Sequence, residues 1–287
     1  MSLAFDTGFS INCVVWITSI AEPDEVALVE EMTEQQQALC GMHKVPFISH
    51  KVSTVAQLLQ SLDEVKAAVE NGAKPLINFL IHGNADSGMY IADEGAFASW
   101  PLVVDKLRAI NIAMKNNLCV LSHTCFAFHS IKEVRITDAS PFFILIAPEQ
   151  KVSFRFVYDN VFQFYEDLWN TGDITKSYDR NLKSSMKIFY SEKMLAVVLC
   201  RYIVKACRGK SGAQRRERLL TEVILGGMEP TKENLRAARR KMKAHLKPDQ
   251  TLVDRYVSKF LIGKACPFSM DDLLKFIDAG DGAAATG

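Results

Sequence analysis

The chain has 287 residues, a formal net charge of +1 and a hydrophobic fraction of 48%, which is room for one large core, or a core plus a smaller helical module. No apolar run approaches the roughly 18 residues of a membrane span, and the opening MSLAFDTGFS lacks the basic start and apolar stretch of a secretory signal. Seven cysteines at irregular spacings form neither a disulfide framework nor a paired zinc motif, so the expectation is a reducing, cytoplasmic setting without membrane contact.

In chain order, residues 11–20 read as a buried strand. Glu22-Pro23-Asp24 then opens a helix that runs to about Met42, with proline and acids where a helix start favours them. Residues 45–53 read as a second strand. Thr54 caps a helix whose Leu58, Leu62, Val65 and Val69 share one face, and Asn71-Gly72 ends it. PLINFLIHGN, residues 75–84, is a third strand, followed by a loop and the short strand MYIAD. Ser99-Trp100-Pro101 opens a helix with Leu102, Val103, Leu107 and Ile110 on its apolar face. LCVLSHTCF, residues 118–126, and FFILIAP, residues 142–148, are further buried strands, and an aromatic-rich helix follows the second. This strand–helix alternation predicts an α/β fold with a mostly parallel sheet and helices on both faces. From about residue 187 only helices are expected, over 187–208, 213–226, 231–246, 249–262 and 269–278. The predicted organisation is a sheet domain over 8–186, a helical module over 187–279 and a disordered tail over 280–287. Residues 200–250 hold 14 Lys and Arg against 5 Asp and Glu, so the module is basic and the front of the chain is acidic to neutral.

Two of these strands end abruptly in polar residues. One leaves His82 just before Gly83, and the other leaves Cys125 after Ser-His-Thr. Ligands of open α/β sheets gather at the carboxyl ends of such strands, so adjacent parallel strands would present an imidazole beside a thiol. A thiol is mostly protonated at neutral pH and attacks as thiolate. A nearby imidazole can take its proton and later protonate a leaving amine.

The order of these features resembles the caspase-like cysteine peptidases, the clan that includes metacaspases and bacterial CHAT-type proteases. In that fold a His-Gly pair ends one central strand and the nucleophilic cysteine ends its neighbour, with a caspase spacing of roughly 50 residues. Here Cys125 follows His82 by 43 residues, across Gly88, Asp93 and a tryptophan-led helix. The resemblance spans roughly residues 8–190. It implies amide hydrolysis through an acyl-enzyme on Cys125, with His82 as general acid/base and the N–H groups of Gly83 and Cys125 as oxyanion hole. It also implies a protein substrate, no cofactor and conditional activation, with bacterial members suggesting a defence or cell-death role. The caspase pentapeptide Q-A-C-[RQG]-G is replaced by His-Thr-Cys-Phe-Ala at 123–127. His123, two before the nucleophile, would then border the pocket for the residue preceding the scissile bond. With no carboxylate in evidence there, cleavage after lysine or arginine is expected to be weak. Asp138, the acid nearest Cys125 in sequence, is a second candidate for substrate binding.

Blander readings stand beside these. Cys13, Cys119, Cys200 and Cys207 read as small buried hydrophobes, and Asp86 and Asp93 as turn formers. His123 and His129 flank Cys125, yet no metal motif has that spacing, so no metal is expected. Two rival functions remain. One is a catalytically silent scaffold of the same fold. The other is a nucleic-acid- or nucleotide-binding protein acting through the basic helices, although few aromatics interleave those bases. The helical module could serve homodimerisation, sensing of an activating ligand, or docking of a partner protein.

Overall fold

Short runs rich in Val, Ile, Leu and Phe, each closed by polar or turn residues, become the central strands. The structure is a computed structural model and describes residue 3, residue 5 and residues 8–280, with only the backbone of His245. Five strands run parallel: β1 (Cys13–Ser19), β2 (Phe47–Lys51), β3 (Pro75–Asn84), β6 (Cys119–Ser122) and β7 (Ile144–Ala147). The antiparallel β8 (Lys187–Tyr190) completes the sheet order β2-β1-β3-β6-β7-β8. Two short strands, β4 (Gly88–Ile91) and β5 (Ala96–Ala98), extend the far end of β3 as an antiparallel flap. The protein is thus α/β with a mostly parallel, mixed eight-stranded sheet.

Strand periodicity of two decides which helices cover which face. Val14, Trp16, Leu76, Leu80, Cys119, Leu121, Ile144 and Ile146 point to one side. There they pack with Val29, Met32 and Leu39 of α1 (Pro23–Met42) and with Val157, Val161, Phe164 and Leu168 of α4 (Phe154–Thr171). The alternate residues, among them Val15, Ile17, Ile77 and Phe79, are equally buried on the other side. The helices α2 (Val55–Glu70) and α3 (Trp100–Ala113) pack against each other and bury Leu58, Leu62, Val103 and Leu107. The expected Thr54 cap is present, its side chain accepting from the Gln57 N–H. A further helix, α5 (Ile174–Asn181), was not expected from the sequence.

The single helix expected over 187–208 is corrected. Its first four residues, Lys-Ile-Phe-Tyr, form β8, and the helix α6 (Ser191–Tyr202) begins only afterwards, passing into a π-helical segment (Ile203–Cys207). The alternating apolar residues are the reason. Ile188 and Tyr190 pack on the α1/α4 core while Phe189 turns to Phe142, ring centroids 5.1 Å apart. The backbone of β8 also covers the edge that β7 would otherwise leave open.

The chain divides into two compact units. Among the described residues, the sheet unit covers 8–191 and takes back Lys259–Lys264; the helical unit comprises residues 3 and 5, Glu192–Ser258 and residues 265–280. The division therefore falls after β8 rather than at 186/187. Within the sheet unit, Phe260 and Leu261 are fully buried and the Ser140 N–H donates to the Phe260 carbonyl. The helical unit holds α7 (Gly209–Leu225), α8 (Lys232–His245), most of α9 (Gln250–Phe260) and α10 (Met270–Asp278). Arg239 grips Glu217 through two nitrogens at 2.9 and 3.0 Å, tying α8 to α7. A capping box between Ser269 and Asp272 starts α10. Nearly all of the expected tail, residues 281–287, lies outside the described residues. Among those described, no helix is long and apolar enough to cross a membrane.

Candidate active site

β3 and β6 are hydrogen-bonded parallel neighbours, in register from Leu76↔Cys119 to Phe79↔Ser122. The ladder continues one residue further, where the His123 N–H donates to the Phe79 carbonyl at 2.8 Å. Past that bond the chain leaves the sheet. Phe126 takes a left-handed conformation at φ 64° and a 3₁₀ turn follows over Ala127–Glu133. Cys125 is consequently not the last residue of a strand, as the sequence suggests, but lies three residues beyond one, in the turn. His82, by contrast, sits within β3 at the stretch that pairs with β4.

His82, His123 and Cys125 line one small cavity of about 80 Å³, together with Glu25, Ile20, Val152 and Phe154. Gly83 explains how the two strand ends come so close. A Cβ at this position would overlap the carbonyl oxygen of Cys125 and the Cγ2 of Thr124, so only glycine lets the turn lie against β3. The turn uses the N–H groups of Phe126 and Ala127, bonded to the Gln150 and Thr124 carbonyls. The N–H of Cys125 is not part of that ladder.

The cysteine sulfur is held by backbone. Its Sγ accepts from the Val152 N–H at 3.4 Å and lies 3.7 Å from the Val152 carbonyl. The imidazole of His82 is held from the other side: its Nε2 is 3.2 Å from Oε2 of Glu22 and 3.2 Å from Oε2 of Glu25. With Nε2–H donating to Glu22, the neutral ring keeps its lone pair on Nδ1. Hydrogen bonds from its own backbone N–H and from His82 hold the Glu22 carboxyl below its usual range.

His123 differs sharply from His82. It is only 4% exposed, both ring nitrogens lack hydrogen-bond partners, and desolvation pushes its pKa down to about 3. The ring is therefore neutral across the physiological range, with one donor and one acceptor unused.

Of the other candidates, Asp138 is not brought to the cavity. It sits in a turn closed on Arg135, with its carboxylate 3.9 Å from Lys259. His129 turns to Lys132 and packs its ring on Phe126. Asp86 donates its N–H to Asn84, and Asp93 accepts from Ser53 Oγ at 2.6 Å. Three contributors were not foreseen: Glu22, Glu25 and Val152. Glu22 was read as a helix-start residue only, and Glu25 was not singled out. The signal that could have found them is topological, because β1 adjoins β3 and the chain leaving β1 must pass the same sheet edge as His82. Glu25 also supplies the cavity with a carboxylate, which removes the ground for expecting weak cleavage after lysine or arginine.

No protein-family model matches the sequence, and no curated protein matches it.

Proposed function

We propose that the chain is a caspase-like cysteine endopeptidase that hydrolyses protein substrates through Cys125 and His82. The observation that carries this reading is the meeting of the two in one cavity, from neighbouring parallel strands and 43 residues apart in sequence. The thiol passes its proton to Nδ1 of His82, and the thiolate attacks the scissile carbonyl. The oxyanion that forms faces the N–H groups of Gly83 and Cys125. His82 then protonates the departing amine, and water, deprotonated by the same imidazole, releases the acyl group from sulfur. Glu22 and Glu25 act as positioning residues, holding Nε2 protonated so that Nδ1 is the basic nitrogen. Before the first step, Sγ must leave Val152, which is the sense in which the site needs activation.

Cys125→Ala and His82→Ala are each expected to abolish cleavage while leaving the fold intact, since neither side chain belongs to the core. A map of new protein N-termini in cells with and without Cys125 tests this. Equal maps would overturn the assignment.

One observation favours a second reading, a silent scaffold of the same fold. The thiol is bonded to Val152 and not to His82. Selective alkylation of Cys125 over the six other cysteines by iodoacetamide argues for the enzyme, and indifferent labelling argues for the scaffold.

A further inference from the structure

Three side chains, two of them lining the cavity, bring their donor atoms close together. Oε2 of Glu22, Oε2 of Glu25 and Nε2 of His82 all lie within 4.8 Å of one another. Glu22 and Glu25 stand three apart at the start of α1, so they share one helix face. The separations from Nε2 to each carboxylate are 3.2 Å, close to the edge of about 3.3 Å that a tetrahedral ion with bonds near 2.0–2.1 Å imposes on its ligands.

Acids gathered at a helix start need no ion, but two further observations point to an occupant here. Oε2 of Glu25 is buried and accepts no hydrogen bond, although the His82 ring faces it. In the same cavity wall His123, 4% exposed, leaves both ring nitrogens without partners. Buried acceptors without partners are costly and call for something to fill them. A cation on Glu25, with a bound water turned to His123, would give each of them a partner.

We propose that Glu22, Glu25 and His82 form a binding site for one divalent transition metal of the zinc class, with His123 as an outer contact through a metal-bound water. Imidazole among the donors selects zinc-like ions over calcium or magnesium, which prefer all-oxygen sites. Two carboxylates outweigh the partial positive charge at the start of α1. The outer ligands are exposed, which gives the ion a way in.

Occupancy has a chemical consequence that rests on the peptidase reading above. A metal on Nε2 takes that lone pair, and the single proton of the neutral ring then resides on Nδ1. His82 can no longer accept the Cys125 proton. The metal is thus a reversible off-switch, and it occupies the cavity that a substrate side chain would enter.

The test uses the full chain carrying Cys125→Ala, so that thiolate binding at the nucleophile plays no part. Titration with Co²⁺, followed by its visible absorption and then displaced by Zn²⁺, should show one ion per chain. Glu22→Gln with Glu25→Gln should weaken binding by about 100-fold or more, beyond the loss typical of an outer-shell partner. These swaps keep shape and lie at partly exposed positions, so circular dichroism should be unchanged. His123→Gln should weaken binding as well. Binding that survives the double Glu variant, or no binding at all, overturns the proposal and leaves the cavity to a donor side chain of a substrate. In the wild-type chain, Zn²⁺ should suppress peptide cleavage and a chelator restore it. A chain that binds metal as described but cleaves nothing when metal-free supports the site and sinks only the peptidase reading.

Discussion

At the scale of single residues, His123 carries a measurable signature that is independent of any activity. Its folded pKa of about 3 lies below the 6.5 of an unfolded histidine, and burial is the cause. Between those values the unfolded chain binds a proton that the folded chain refuses. The stability this residue contributes is complete above pH 6.5 and is lost as the pH falls toward 3, with a slope of up to about 1.4 kcal/mol per pH unit. Denaturant unfolding between pH 6.5 and 4 should therefore fall more steeply for the wild type than for His123→Gln. Equal slopes would mean that the ring is hydrated or already partnered. That His82 and Cys125 would meet was legible because His-Gly and Ser-His-Thr-Cys interrupt otherwise apolar runs. The two glutamates were not, because a carboxylate at a helix start already has a sufficient local reason to be there.

At the scale of elements, the parallel strands were readable as apolar runs, and their parallel direction from their alternation with helices. β8 was not, since Lys-Ile-Phe-Tyr leads directly into helix-forming residues and only pairing with β7 reveals it. The exact end of β6 was hidden for a similar reason: Ser122, His123 and Thr124 are all buried, so polarity did not mark where the ladder stops. The contact that joins the two strand ends rests on one missing side chain. Gly83→Ala would place a methyl against the Cys125 carbonyl and the Cγ2 of Thr124, and the carbonyl is backbone that cannot yield without moving the turn. The expected result is a fall in cleavage of at least about 100-fold, as follows from a displacement near 1 Å at the reacting atoms. The melting temperature should drop far less than a loss of fold would require. A variant with full activity would show that the close approach of Gly83 to Cys125 is not needed for catalysis.

At the scale of the whole molecule, the two units differ in charge and in what they offer chemistry. The cavity with His82 and Cys125 belongs wholly to the sheet unit, and the bases of residues 200–250 belong to the helical one. Under the proposed function the sheet unit has no evident need of that second unit for its chemistry, which is the ground for expecting dimerisation, ligand sensing or partner docking from it. The site itself gives the argument a physical form. Sγ is engaged by the Val152 backbone rather than by His82, while the two carboxylates on Nε2 leave Nδ1 as the basic nitrogen. Release of Sγ from Val152 requires only the segment between β7 and α4 to shift, a loop motion well within the microsecond-to-millisecond range of lids. The purified chain alone is accordingly expected to cleave peptides slowly, with addition of its trigger raising the rate by at least about tenfold while Cys125→Ala stays inert. Activity-based acylation of Cys125, measured in the pure protein and in lysate of the producing cell, reads this directly. Fast, constitutive acylation of the pure chain, unchanged in lysate, would mean that the Val152 contact is no restraint and that the helical unit serves something other than activation.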